Sequence, residues 1–272
     1  MAVPDSPPMH RIAIVLGLAL LSGCATHPIT GREQILALPA VQTVYADVGF
    51  ALSAGGERIA ASPPCEPDCG RAEDPAVLAG RVERIGARLE VTARGMAPDL
   101  FERIAEFQFE VNDGLGVGTG SSASGRIALG SGLAGLEPTD TVVAFLIARE
   151  MAHVIARHAE EDSGASLVLS ALGVLLLPGL NVIVRFVATT AGANALTRSW
   201  AKEQQREADE IAVALLERSG VPVLSVALDL ENGVRRARLP DDDWGARYRE
   251  STRRVSLKAA AAPAPRYAVL RE

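Results

Sequence analysis

The sequence predicts an α+β fold, mainly α-helical with a small β-sheet. Apolar residues recur at helical spacing after Asp74-Pro75, an N-cap followed by a proline at the first helical position. Apolar and polar residues alternate from Phe107 to Val111, which is typical of a strand. Aromatic residues make up only 4 % of the 272 residues, so we expect a core of small residues in closely packed helices.

The helices and strands of the domain follow one another along the chain. The first helix has four apolar residues on one face, namely Leu78, Val82, Ile85 and Leu89. Two strands are expected at 107–111 and 125–129, separated by a glycine- and serine-rich loop at 114–125. Thr139-Asp140 then opens a second helix.

The second half of the chain is predicted to be helical. Residues 166–184 carry no charge and are numerous enough to cross a bilayer. Pro178-Gly179 interrupts them, so we favour a buried helical hairpin, with contact to the membrane as the alternative. A further helix is expected from Trp200 to Ser219-Gly220, where the glycine supplies a natural end, and a short basic helix surrounds Arg253.

The N-terminus resembles a bacterial lipoprotein signal. A short basic start at 9–11 precedes an apolar stretch at 12–21, and Leu21-Ser22-Gly23-Cys24 matches a lipobox, in which the signal is cleaved before an acylated cysteine. An ordinary signal peptide or an N-terminal anchor is the alternative, and Met9 is a second candidate start. Because Ala25 replaces the aspartate of inner-membrane lipoproteins, we expect attachment to the outer membrane, facing the periplasm.

Net charge and cysteine content restrict the possible partners and the possible covalent links of the protein. The net charge is −6 and no basic run exceeds two arginines, which argues against nucleic acid as a partner. Once Cys24 is acylated, Cys65 and Cys69 remain, in a turn-rich loop. An oxidising compartment favours a local disulfide between them, with free thiols and a metal pair as alternatives.

Residues 148–153 carry most of the functional information. Zinc metallopeptidases use H-E-x-x-H, in which two histidines on one helical face bind the metal and the glutamate activates water. Glu150 and His153 occupy the second and last positions of this motif, whereas Arg149 replaces the first histidine. A guanidinium has no lone pair to offer zinc. His158, five residues further along a helix, is expected to point roughly 140° away from His153.

Residues 200–211 contain a second matching motif. Glu207-Ala208-Asp209 matches the end of E-x-E-A-D, and Gln205 stands where the first glutamate would be. Together the two motifs resemble the zinc metallopeptidases that include HtpX, the CAAX prenyl proteases and BepA, which form family forty-eight of the metallopeptidases. The resemblance covers about residues 74–254. Further matches are Gly125, Ile127, Gly132, Leu133, Ala156-Arg157-His158 and the lipoprotein-like start at 24–31.

The resemblance implies a zincin-type peptidase domain with a degenerate metal site. The family ligands fall at Arg149, His153 and Gln205, and the general base at Glu150. Only His153 is a usable ligand, because a cation and a neutral amide replace the other two. Glu150 is therefore expected to be idle, since no metal lowers the pKa of an attacking water.

Acidic residues beside the ligand positions offer a substitute for the metal. Glu207 and Asp209 are the natural partners of Arg149, and a buried ion pair would then link the two helices. The sequence departs from the family at 118–120, where Asn-Ala-Phe is usual. It also departs at 246–249, where no histidine precedes the C-terminal arginines.

We therefore predict a lipoprotein that keeps a peptidase scaffold without hydrolysis and without a cofactor. It would bind extended polypeptide or an envelope partner along the groove beside Ile127. The alternatives are an active zinc-dependent metalloendopeptidase that degrades misfolded envelope proteins, and a structural partner of an active paralogue. The predicted organisation is a signal peptide at 1–23, a tether and peripheral segment at 24–73, a metallopeptidase-like domain at 74–258 and a mobile tail at 259–272.

Overall fold

A computed structural model describes residues 23–36, 43–51 except 45 and 49, 73–163, 182–236 and 239–262, with the backbone alone for 23–25, 35 and 182–199. In chain order its elements are β1 (Gly23–Thr26), β2 (Glu33–Leu36), α1 (Pro75–Met96), β3 (Gln108–Asn112), β4 (Thr119–Ser121), β5 (Arg126–Gly130), α2 (Asp140–Ile155), α3 (Val182–Arg218), α4 (Val223–Arg236) and α5 (Asp243–Ala261). The predicted α+β fold is confirmed.

Several predicted features lie outside the described residues. These are the signal peptide up to residue 22, the pair Cys65 and Cys69, the uncharged stretch as far as residue 181, and the tail from residue 263. None of the described helices combines the length and the apolar character needed to cross a membrane.

Helix α1 forms as its local sequence predicts. The Asp74 side chain accepts a hydrogen bond from the Ala76 N–H at 2.9 Å, which satisfies one of the free donors at the helix start. The four predicted apolar residues are all buried. They pack α1 against α2 and β3, so this helix supports one side of the core.

Helix α2 runs through the centre of the molecule. Thr139 caps its start by accepting from the Val142 N–H at 3.3 Å. Nearly every residue of α2 is buried, and the helix contacts α1, α3, α4 and the sheet strands β4 and β5. A helix enclosed in this way must be apolar all round, so Arg149 and Glu150, which are 4 % and 6 % exposed, need partners.

The three-stranded sheet has the order β3-β5-β4. Strand β5 pairs in parallel with β3, with Phe109 opposite Ile127, and antiparallel with β4, with Ser121 opposite Ile127. The prediction that 114–125 is a loop is therefore wrong for Thr119–Ser121. Ile127 is fully buried in the central strand. No extended chain can pair with β5 itself, because both of its edges are already paired, and the predicted binding beside Ile127 stays a prediction.

Two glycines make the turns around β5 possible. Gly125 has a φ of 94°, a left-handed conformation that side chains with a Cβ rarely adopt. Gly130 lies so close to the Gly116 carbonyl oxygen that a Cβ would overlap it. These contacts hold β4 beside β5 and place it next to α2.

The C-terminal helices close the domain over α2 and α3. The predicted helix start at Trp200 is wrong, because α3 is already helical from Val182. Its end is as predicted: Gly220 has a φ of 86°, and the Val221 N–H donates to the Leu216 carbonyl at 2.9 Å. The basic helix around Arg253 is present as α5, which packs against α3 and α4.

Candidate functional site

The residues of the two predicted motifs meet between α2 and α3. Arg149, Glu150 and His153 lie on α2, and Gln205 lies on α3 beside them. They border a cavity of about 310 Å³. Its remaining wall consists of Thr119 and Ser121 from β4, His158, Ala159 and Asp162 after α2, Ala201 and Gln204 from α3, and Trp244 and Arg247 from α5.

Arg149 occupies the first metal-ligand position and connects the two helices. Its Nε lies 3.1 Å from Asp209 Oδ1, and its Nη2 donates a hydrogen bond to Gln205 Oε1. The ion pair expected in place of the metal is thus present with Asp209, whereas Glu207 has other partners. Removing a charge this deeply buried from its partner would be costly.

Asp209 is shared between two arginines. Its Oδ2 also accepts from Arg254 Nη1 of α5 at 2.6 Å. Burial raises the pKa of the Asp209 carboxyl, against the opposing effect of Arg149 and Arg254. The carboxylate therefore joins α2, α3 and α5 at one point.

Glu150 is held by the strand that the sequence did not reveal. Thr119 Oγ1 donates to one carboxylate oxygen at 2.6 Å, and Ser121 Oγ donates to the other at 3.0 Å. Residues two apart on a strand project from the same face, so both hydroxyls reach α2 from β4. The sequence does contain these two hydroxyl residues, on either side of Gly120, but they indicate a contact with Glu150 only once β4 is known to be a strand.

His158 was expected to point away from His153, and this is wrong. The two Nδ1 atoms lie 2.8 Å apart. Helix α2 ends at Ile155, and Arg157 adopts a left-handed φ of 58°, so the chain turns and brings His158 back. The 140° estimate assumed a continuous helix.

The two histidines and Glu207 form a hydrogen-bonded row. His158 Nε2 lies 3.0 Å from Glu207 Oε2. When His158 is neutral and donates from Nε2, its Nδ1 accepts from the His153 Nδ1–H, which leaves His153 Nε2 unprotonated. Burial, His158, Arg149 and Arg247 lower the pKa of His153 well below its ordinary value. His153 is therefore a neutral, hydrogen-bonded residue.

Strands β1 and β2 pair antiparallel and form a hairpin, and Glu207 is enclosed by donors from this hairpin. Thr30 Oγ1 and Arg32 Nε both donate to its carboxylate, and His27 Nδ1 lies 3.7 Å away. Burial opposes ionisation, but the hydrogen bonds from His158, Thr30 and Arg32 outweigh it and lower the pKa of Glu207 to about 2. None of these three donors belongs to the two motifs.

The same hairpin completes the end of α2. Arg32 also binds Glu161 through Nη1 and Nη2, at 3.0 and 2.7 Å. Gln34 Nε2 donates to the Ala156 carbonyl, and His27 Nε2 lies 3.3 Å from the Ile155 carbonyl oxygen. Carbonyls at a helix end have no partner within the helix, so residues 27–34 supply what α2 itself lacks. Part of the predicted tether at 24–73 is thus in contact with the domain.

Arg247 reaches the cavity from α5 in the region where the family places a histidine. Its guanidinium forms no hydrogen bond or ion pair with the residues that the structure describes, although it contributes to the lowered pKa of His153. Neither motif points to this residue. The one feature of the sequence that drew attention to this region was the lack of a histidine at 246–249.

The donor set at this site does not fit zinc. Of the three ligand positions only His153 is a usable donor, and Gln205 Oε1 already accepts from the arginine at the first position. Over the described ranges, no three His, Cys, Asp or Glu side chains are grouped so that they could hold a metal ion. A divalent cation would have to bind beside the fixed guanidinium of Arg149.

Residues 117–230 match the model of peptidase family M48. The matched region runs from just before β4 into α4 and contains both motifs and the cavity wall apart from α5. A search of curated proteins gives no match. The match supports the likeness to metallopeptidases over this region and agrees with a zincin-like fold. The bounds of the predicted domain and the finer likeness to envelope lipoproteins stay predictions.

Proposed function

We propose that the M48 peptidase domain at residues 117–230 binds extended polypeptide without hydrolysing it, as part of a lipid-anchored envelope protein. One observation carries the proposal. The buried Arg149 guanidinium stands at a metal-ligand position and is bound there by Asp209 and Gln205. The helices that would hold zinc are therefore joined by an ion pair and a hydrogen bond.

The loss of hydrolysis follows from the chemistry that the family uses. Its members are usually zinc-dependent, and zinc lowers the pKa of a bound water so that a glutamate can deprotonate it. Here Glu150 receives hydrogen bonds from Thr119 and Ser121. With a cation in place of a ligand beside it, Glu150 has no activated water to deprotonate.

The proposed binding surface is the outer edge of β4. Gly118 O accepts from Gly130 N at 2.8 Å, and Ser122 N donates to Arg126 O at 2.9 Å. Because antiparallel pairing alternates, the main-chain groups of Thr119 and Ser121 then face away from β5. An extended polypeptide can pair with such an edge as an added strand.

The first test measures zinc and proteolysis together. We expect untagged protein, solubilised in detergent, to contain far less than one zinc per chain by elemental analysis and to leave labelled casein intact. Stoichiometric zinc with cleavage that disappears in Glu150→Gln would overturn the proposal and establish an active metalloendopeptidase.

The second test addresses the β4 edge. We expect Ser121→Pro, which removes an outward main-chain N–H, to weaken binding of an unfolded fluorescent polypeptide at least about tenfold. Ser121→Ala is the matched control, because it loses the same hydroxyl but keeps the N–H. Equal affinities for the two variants would exclude strand addition at β4.

The envelope location rests on the lipobox residues Leu21-Ser22-Gly23-Cys24. We expect labelled fatty acid to be incorporated into the wild type and not into Cys24→Ala. Incorporation into the variant would refute the acylation site and leave the binding proposal untouched.

A further inference from the structure

The cavity wall carries as many cations as carboxylates, but the two kinds of group differ in how many of their hydrogen-bonding atoms have partners within the protein. Glu150 is hydrogen-bonded by two hydroxyls, and Asp162 accepts from Trp200 Nε1 at 2.9 Å and from Gln204 Nε2 at 3.0 Å. The wall's cations are Arg149 and Arg247. The unused hydrogen-bonding capacity of this cavity therefore belongs mainly to guanidinium groups.

The two arginines contribute in different ways. Arg149 is 4 % exposed and fixed through Nε and Nη2, but its Nη1 makes no hydrogen bond within the part of the chain that the structure describes. Arg247 is exposed on α5, with no acidic partner among those same residues. The donor on Arg149 is buried and held in place, whereas Arg247 lies at the solvent side of the cavity and can change its side-chain conformation.

We infer that this cavity binds the C-terminal carboxylate of an extended polypeptide, through Arg247 and Nη1 of Arg149. The inference rests on the proposed function, because Thr119 and Ser121 belong both to the β4 edge and to the cavity wall. A polypeptide that runs past the cavity presents neutral amides to the guanidinium groups. A chain end presents a carboxylate, which pairs with a guanidinium through charge-assisted hydrogen bonds.

The replacement of the metal ligand explains why such binding can persist without hydrolysis. Arg149 puts a guanidinium, paired with Asp209, at a ligand position of the family's metal, and its Nη1 stays available to an oxygen anion. It supplies no activated water, so a bound chain end is held and not cleaved. The Nδ1 of His153 is engaged by His158 at 2.8 Å, and the two guanidinium groups are the wall's permanently charged donors.

The test compares one unstructured fluorescent decapeptide that lacks acidic side chains, with a free C-terminal carboxylate and with a C-terminal amide. We expect the acid to bind the full chain at least about tenfold more tightly than the amide in low salt. Arg247→Gln should abolish this difference, and Arg247→Lys should restore only part of it, because lysine keeps the charge without the planar fork. Arg253→Gln, on the same helix but paired with Glu250 on the surface, should preserve it.

Three outcomes would overturn the inference. Equal binding of acid and amide, with both weakened by Ser121→Pro, would refute the carboxylate site while leaving strand addition at β4 standing. An amide peptide with one internal aspartate that binds as tightly as the acid would show that side-chain carboxylates are the ligand. Binding of neither peptide would refute both this inference and the proposed function.

Discussion

Two regions beside α2 and α3 each hold a buried charge. One is formed by the metal-ligand positions, and the other is the hairpin junction, where Arg32 meets Glu161 and Glu207. The buried charge has opposite signs in the two regions. At the ligand positions a buried cation, Arg149, is held by Asp209 and Gln205. At the junction a buried carboxylate, Glu207, is held by donors from residues 30–32 and by His158. The first link is internal to the peptidase-like helices, and the second is supplied from outside the matched region.

This difference shows what replaces a metal as a connection between helices. Zinc would join α2 and α3 at one point through three ligands. Here one ion pair stands at that point, and a second set of contacts lies beyond the end of α2, where Arg32 binds both Glu161 and Glu207. The hairpin is therefore part of the folded unit and contributes to its stability.

The largest expected effect comes from removing the cation of the junction. Arg32→Ala leaves Glu161 and Glu207, which are 4 % and 1 % exposed, without their shared partner. We expect the free energy of unfolding in urea to fall by about 3–5 kcal/mol. Arg206→Ala, which breaks exposed pairs on α3, is the control and should cost about 1 kcal/mol or less. Similar losses in both variants would mean that the junction is no stronger than a surface pair.

The pH dependence of stability tests the same carboxylate. The pKa of Glu207 is lowered from 4.5 to about 2, so below pH 4.5 the unfolded chain takes up a proton that the folded chain does not. The free energy of unfolding should therefore fall as the pH drops from about 5 towards 2, by up to about 3 kcal/mol from this group. Glu207→Gln should flatten that part of the profile. Parallel profiles for wild type and variant between pH 3 and 6 would contradict the assignment.

Restoring the zinc ligands should allow a metal ion to join α2 and α3 at the first region. We expect Arg149→His with Gln205→Glu to bind zinc, while neither single variant does, because only the pair restores two imidazoles and a carboxylate. At a zinc concentration of about 100 Kd, binding should stabilise the double variant by about 2.7 kcal/mol in thermal melts. A double variant whose melting temperature ignores zinc would show that positions 149, 153 and 205 do not converge.

The smallest expected effect concerns the turn that joins the two regions. Arg157 holds a left-handed φ of 58° and pairs with Glu160 at 3.2 Å. Arg157→Gly and Arg157→Ala both lose this pair, but only glycine removes the strain of the left-handed conformation. We expect the glycine variant to be more stable than the alanine variant by about 0.5–1 kcal/mol. If alanine is the more stable of the two, the turn at Arg157 is not left-handed in solution.

Local patterns predicted the elements whose conformation depends on neighbours in sequence. Helix α1 follows from the Asp74 cap and its apolar face, and the end of α3 follows from Gly220. Strand β4 could not be predicted, because Thr119-Gly120-Ser121 has no apolar alternation. Its conformation comes from pairing with β5 and from contacts to Glu150 on α2.

The site was predicted in part for the same reason. The motifs identified Arg149, Gln205 and Asp209, because helical spacing fixes which residues share a face. The return of His158 depends on where α2 ends. That end is completed by Gln34, which donates to the Ala156 carbonyl from 122 positions earlier in the chain. No pattern around residues 153–158 contains this information.

The docked hairpin would also limit how far the domain can move from the membrane if Cys24 is acylated as predicted. A flexible segment of the length predicted for 24–73 would have an average reach of about 40 Å. Cys24 lies three positions before His27, which contacts the end of α2, and three extended steps of the chain span about 10 Å. An acylated Cys24 would therefore hold the cavity close to the bilayer surface. Polypeptides would then be selected first by their distance from the membrane and only afterwards by their sequence.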